Sequence, residues 1–150
     1  MQEAILLARK AVENNEGGPF GCVVVKNDKI IGRGSNKVVS TKDPTAHAEI
    51  IAIRDACATL DSFQLDGCEV YTSCEPCPMC LGALYWARPS AIYYAVNRTD
   101  AANIGFDDSM IYDEVAKAIH ERSIPLKTIG RDEAIKVFEL WKNKTDKTPY

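Results

Sequence analysis

His47-Ala48-Glu49 and Pro76-Cys77-Pro78-Met79-Cys80 constrain this chain more than any other part of it. The first motif sets an imidazole and a carboxylate two residues apart. The second sets two thiols three residues apart, on one turn of a helix. A catalytic zinc takes three protein ligands of nitrogen or sulfur type and leaves its fourth position to water. His47, Cys77 and Cys80 make that set, and Glu49 is left over to move protons. A fold that uses them must bring two well-separated segments to one point.

Hydrophobic periodicity suggests how. Ala4, Ile5, Ala8, Ala11 and Val12 have helical spacing within Gln2 to Asn15, and Gly17-Gly18-Pro19 ends that helix. Phe20 to Lys26 and Lys29 to Ser35 are strand-like, with Asn27-Asp28 suited to a tight hairpin turn between them. A loop from Asn36 to Thr45 leads into a helix over Ala46 to Leu60, with Ile50, Ile53, Cys57 and Leu60 on one face. Val70 to Thr72 reads as a short strand, Pro78 to Ala87 as a helix closed by Arg88-Pro89, and Ala91 to Val96 as a strong strand. Asn97 to Asp108 reads as irregular, Met110 to His120 as helix, Ile124 to Ile129 as a short strand and Asp132 to Trp141 as a final amphipathic helix. The alternation predicts an α/β sandwich whose sheet opens with a hairpin and is then fed by crossover helices. The two motif helices then start on the same edge of the sheet, where their N-termini can converge.

The chain has 150 residues, enough for one domain around a single core. Its longest apolar run, Met79 to Ala87, is far short of the roughly 20 residues of a membrane helix. Met1-Gln2-Glu3 lacks the basic flank and apolar stretch of a signal peptide, so a mature cytoplasmic protein is expected. A net charge of −3 argues against a nucleic-acid binder, which usually carries a basic excess or patch. Six cysteines in an intracellular chain are expected reduced, with Cys22, Cys57 and Cys68 acting as small buried hydrophobes.

Cys74 complicates the metal count. His47 with Cys74, Cys77 and Cys80 would close a four-ligand structural site. That arrangement leaves Glu49 unexplained, and Cys74 precedes the turn that Pro76 and Pro78 constrain. Glu49 on its own is a first-turn carboxylate favoured by the helix dipole. Beside an activated water it is a proton carrier, taking a proton from the nucleophile and delivering it to a ring nitrogen and a leaving amine.

With those residues in view, the chain resembles the cytidine deaminase-like superfamily, and within it the small bacterial guanine deaminases. The H-x-E and P-C-x-x-C pattern is the signature of zinc nucleobase deaminases. Gly18-Pro19-Phe20-Gly21, Asn36, Pro44 to Glu49 and Thr72 to Cys80 are similar in style to the tRNA adenosine deaminases as well. Thr99-Asp100-Ala101-Ala102, Gly105 to Ser109 and the terminal tyrosine look like the guanine deaminases. The resemblance covers nearly the whole chain. It implies a three-layer α/β/α sandwich with a mixed sheet, one domain over residues 1–150, one Zn2+ per chain and hydrolysis of guanine to xanthine and ammonia. It also implies a homodimer in which a segment of about residues 110–150 is swapped onto the partner. For the substrate it implies that Phe20 stacks on the purine, Asn36 reads its polar edge, and Ala48, Asp108 and Tyr150 help hold guanine.

Plainer roles stand beside these. Phe20 suits a core position, Asn36 a turn, and either Asp107 or Asp108 a cap for the helix near Met110. Tyr150 suits the end of a disordered tail, and Trp86 suits packing. A tRNA adenosine deaminase is the second reading, kept open by Lys142, Lys144 and Lys147. A non-catalytic zinc-stabilised module is the third.

Overall fold

The computed structural model describes all residues, Met1–Tyr150. The chain divides into two compact units, 1–109 and 110–150.

The first unit is built on a four-stranded mixed sheet of order β2-β1-β3-β4. Strands β1 (Gly21–Lys26) and β2 (Lys29–Ser35) form the opening hairpin. Asn27 and Asp28 both adopt positive φ, 50° and 60°, as a two-residue turn that follows strand twist requires. β3 (Glu69–Cys74) pairs antiparallel with β1 and parallel with β4 (Ala91–Val96). The parallel pair is joined by helix α4 (Pro78–Ala87), the crossover that such pairing needs.

Alternation along β1 divides the layers. Gly21 lies against helix α1 (Gln2–Glu13), where a Cβ would fall 2.1 Å from the Ala4 carbonyl oxygen. Cys22 and Val24 point the other way, into a core shared with Ala48, Ala52 and Ala56 of helix α3 (Ala48–Leu60), Val70 of β3, and Leu84 and Ala87 of α4. The result is the expected three-layer α/β/α sandwich with a mixed sheet. Between β2 and α3 lies a short helix α2 (Val38–Thr41), and after β4 a short helix α5 (Arg98–Ala102).

The face of α3 that packs hardest is not the expected stripe of Ile50, Ile53, Cys57 and Leu60. Ala48, Ala52 and Ala56 are fully buried, while Ile53, Cys57 and Leu60 are partly buried at the margin of the core. The reason lies in β2. A Cβ on Gly34 would sit 2.0 Å from the Ala48 carbonyl oxygen, and one on Gly32 would sit 2.7 Å from the Ala56 Cβ. Glycine facing alanine lets helix and strand approach closely, so small side chains hold the centre. α3 also starts at Ala48 rather than Ala46, which makes His47 its N-cap.

Asn97 to Asp108 is not wholly irregular. Asn97 Oδ1 accepts hydrogen bonds from the backbone N–H groups of Thr99 and Asp100, at 2.9 and 3.0 Å. Asp100 returns one to the Asn97 N–H at 3.0 Å, a capping box that starts α5.

The second unit holds helix α6 (Ser109–Ala116) in all but its first residue, a 3-10 turn (Ile119–Glu121) and helix α7 (Arg131–Asn143). The helix expected over Met110 to His120 therefore ends at Ala116. The strand expected over Ile124 to Ile129 is absent: the segment is irregular, with Ile124 and Ile129 76% and 94% exposed. Its β-branched residues have no neighbouring strand to complete a ladder, and Pro125 has no N–H to donate to one.

Candidate metal and proton-transfer site

Two helix starts make the site. The Asp43 side chain accepts from the Thr45 N–H and hydroxyl, at 2.8 and 2.7 Å, and the His47 N–H bonds the Thr45 carbonyl at 2.8 Å. This turn delivers His47 in extended conformation to the first residue of α3. Cys77 does the same for α4, extended and followed by Pro78 at the first helical position, where a missing N–H costs nothing. Neither side chain makes a capping hydrogen bond to its helix. Cys80 is one turn into α4 and fully buried.

His47 Nδ1 lies 3.5 Å from Cys77 Sγ and 3.5 Å from Cys80 Sγ. The three donor atoms all lie within 4.8 Å of one another. Tetrahedral zinc with ordinary Zn–N and Zn–S bond lengths has an N···S edge of about 3.6 Å. The trio thus fits zinc both in donor type and in spacing, with Nδ1 as the imidazole donor. The thiols already share charge. Hydrogen bonding from Cys80, then from His47, lowers the Cys77 thiol to about 4. Cys80 is pushed up because it donates that bond and because it is buried. The bond to Cys77 raises the His47 imidazole.

Cys74 does not join them. Its thiol donates to the Asn97 carbonyl at 3.8 Å, and burial followed by the charge of Glu49 lifts it to about 11. The four-ligand closed site is therefore not what this chain builds.

Glu49 is 5% exposed, and burial raises its carboxyl above the usual range. Its Oε1 accepts a hydrogen bond from the Thr72 hydroxyl at 3.0 Å. Thr72 was not singled out as a site residue, although the alternation of β3 turns it to the same face as Val70. Asn36 is 5% exposed, and its Oδ1 accepts from the backbone N–H groups of Gly18 and Val38, at 3.3 and 3.2 Å. The acceptor end of the amide is thereby committed to the loop, and the NH2 is the end left to meet a ligand. Phe20 is partly buried against the core and meets Phe106 edge to face, with ring centroids 4.9 Å apart. A Cβ on Gly18 would collide with both rings, at 2.8 Å from Phe106 and 2.9 Å from Phe20. Phe106 thus reaches Phe20 from the segment Gly105 to Ser109, a contact between residues distant in sequence.

The two aspartates separate. Asp107 is exposed and accepts from the Ser109 N–H at 2.9 Å, capping α6, which holds its carboxyl below the usual range. Asp108 is half-buried, and burial, then the charge on Cys77, raises its carboxyl. Tyr150 belongs to the second unit and is 72% exposed. Trp86, expected in packing, is 66% exposed on the outer side of α4.

Residues 1–96 match the family of the cytidine and deoxycytidylate deaminase zinc-binding region. The chain is 52% identical to the guanine deaminase of Bacillus subtilis (strain 168) over all of its own length and 96% of that protein's. The X-ray structure of guanine deaminase from Bacillus subtilis superposes with a TM-score of 0.96, covering 99% of this chain and 95% of that one. The guanine deaminase from Nitrosomonas europaea, 33% identical, gives a TM-score of 0.67 over 93% of this chain and 81% of that one. A tRNA-specific adenosine deaminase of Aquifex aeolicus (strain VF5) is 41% identical over 63% of this chain and 62% of that protein. No helix is long and apolar enough to cross a membrane. A zinc-type donor trio, a buried carboxylate beside it, and likeness along the whole chain lead to one conclusion: this chain belongs to the cytidine and deoxycytidylate deaminase zinc-binding family.

Proposed function

We propose that the chain is a zinc-dependent guanine deaminase, hydrolysing guanine to xanthine and ammonia. The observation that carries the choice of substrate is the 52% identity to a guanine deaminase along the entire chain, against 41% over 63% of the chain and 33% over 96% of it for two tRNA-specific adenosine deaminases. His47, Cys77 and Cys80 would hold the zinc, which would supply a Lewis acid that makes a water nucleophile available near neutral pH. Glu49 carries one proton from the attacking water to the ring nitrogen and a second, from the resulting hydroxyl, to the departing amine, an amine being a poor leaving group until protonated. Its burial and raised affinity for a proton suit that task.

The substrate contacts follow from what each side chain has left to offer. Asn36 presents its NH2 to an acceptor on the purine edge, such as O6 or N7. Asp108 accepts from guanine N–H groups, and Phe20 offers its ring to the base. Ala48 offers its backbone N–H, one of the first-turn donors that a helix leaves unpaired.

The working unit is a homodimer in which the segment 110–150 of each chain, ending in Tyr150, completes the other's site. Support comes from each unit taken by itself. In the second, α7 buries no residue, and Val137, Phe138 and Leu140 are 62–72% exposed. In the first, edge strand β4 leaves Tyr93, Tyr94 and Val96 45–52% exposed. Apolar faces of that kind mark contact surfaces. Six free cysteines suit a reducing, cytoplasmic setting. The test is ammonia release from free guanine set against a tRNA substrate. Xanthine from guanine with unmodified tRNA is the expected result, and inosine in the tRNA without xanthine would overturn the reading.

A further inference from the structure

Glu49 reaches the site from the first turn of α3, on a side chain with three rotatable bonds. A proton carrier held that loosely would lose much of its value, because misplacement by about 1 Å can cost 10²-fold in rate. The Glu49 backbone N–H also bonds the carboxylate from within α3, and Thr72 adds a second hold from a different element. It stands within β3, in register with Cys22 of β1 and Tyr94 of β4, and is 1% exposed. Neighbouring strands fix its backbone on both sides, and its branched Cβ leaves little freedom at χ1. The hydroxyl is therefore a donor on a rigid post.

We propose that Thr72 is the positioning residue of the proton carrier: its hydroxyl pins Glu49 Oε1, at 3.0 Å, so that the travelling proton is taken up and released at Oε2. This rests on the reading of Glu49 as proton carrier. Both partners are buried, so water does not substitute for either of them. Thiols that would bind the metal as thiolates have no proton to donate, which leaves the threonine as the side-chain donor to this carboxylate. The next residue uses the same chemistry on another segment. The Ser73 hydroxyl accepts from the Gly21 N–H at 3.0 Å and ties the start of β1, beside Phe20, to β3.

Thr72→Val removes the donor and keeps the shape; Thr72→Ser keeps the donor. In the valine variant kcat for guanine is expected to fall by about 10- to 100-fold with KM within about 2-fold, since only the transition state is affected. Serine is expected to keep kcat within about 3-fold. Added to Glu49→Gln, Thr72→Val should change turnover by less than about 2-fold, because the hydroxyl acts only through Glu49. Crystal structures of the wild type and Thr72→Val should show the Glu49 carboxylate displaced in the variant. An unchanged kcat in zinc-loaded Thr72→Val, a full multiplicative loss in the double variant, or an unmoved Glu49 would overturn the proposal. Should valine fail to fold, Thr72→Ser decides, and a loss as large as that of Glu49→Gln would be fatal to it. A wild type inactive on guanine sinks the substrate assignment instead, and the Glu49 orientation in the two structures still decides the role of Thr72.

Discussion

Helices α3 and α7 are both 13 residues long, and they differ in what holds them. α7 has the stronger amphipathic pattern, with Ile135, Phe138 and Trp141 on one side, yet it buries nothing and leaves Phe138 72% exposed. α3 has a weaker pattern and is pinned along Ala48, Ala52 and Ala56, each 0% exposed, by the glycines of β2. Close approach of small residues, more than apolar periodicity, anchors α3 to the sheet. That anchoring matters because the candidate metal ligand His47 caps α3 and Glu49 lies in its first turn. α7 has an apolar face that its own unit does not use, the state of a helix built to pack on something else.

The division proposed above, chemistry in residues 1–109 and completion of a partner's site by residues 110–150, can be broken at either end. The largest effect belongs to the metal. Cys77→Ala or Cys80→Ala should abolish activity and take zinc from about one per chain to none, measured by elemental analysis. Cys74→Ala should keep both zinc and turnover, because its thiol bonds Asn97 rather than the trio. Next comes Glu49→Gln, expected to keep zinc and fold while kcat drops at least roughly 10²-fold. Near-normal turnover with zinc bound would remove Glu49 from the mechanism.

Asp108→Asn should weaken guanine turnover by about 1–3 kcal/mol, the cost of turning an acceptor that the bound base would bury into a donor. Asp107→Asn is the control, expected to leave kcat and KM in place and to change stability little in a denaturant melt, because the Asn side-chain oxygen can still accept from the Ser109 N–H. Equal kinetic losses in both would erase the distinction between the site aspartate and the capping one.

The smallest effect sharpens the comparison most. Deleting Tyr150 should lower activity with little change in melting temperature, since a residue 72% exposed contributes little burial. Mixing that chain with the Glu49→Gln chain and letting subunits exchange then separates the two geometries. If each tail serves the partner, one site in a mixed dimer is complete, and roughly a quarter of all sites recover after random exchange. If each tail serves its own chain, no site is complete and the mixture stays inactive despite demonstrated exchange.

Much of the molecule was legible without coordinates, and the legible parts share a property. Lys29–Ser35, Pro78–Ala87 and Ala91–Val96 form over the residues that turn chemistry, proline position and β-branched runs had marked. Each of those signals acts within a few residues of itself. The candidate zinc trio was readable because spacing within one turn and donor type are local facts.

What the tertiary structure alone decided is pairwise and distant. The sheet order β2-β1-β3-β4, the hydroxyl of Thr72 on Glu49, the turning of Cys74 to Asn97 and the different burial of Asp107 and Asp108 all depend on which surface arrives opposite which. The same dependence explains the failures. Ile124 to Ile129 has strand-like residues but no strand to pair with, and α3 turned its alanines inward because glycines faced them. A residue's propensity belongs to its own few neighbours in sequence, whereas burial and hydrogen bonding need a partner, and partners are assigned only when the chain has closed on itself.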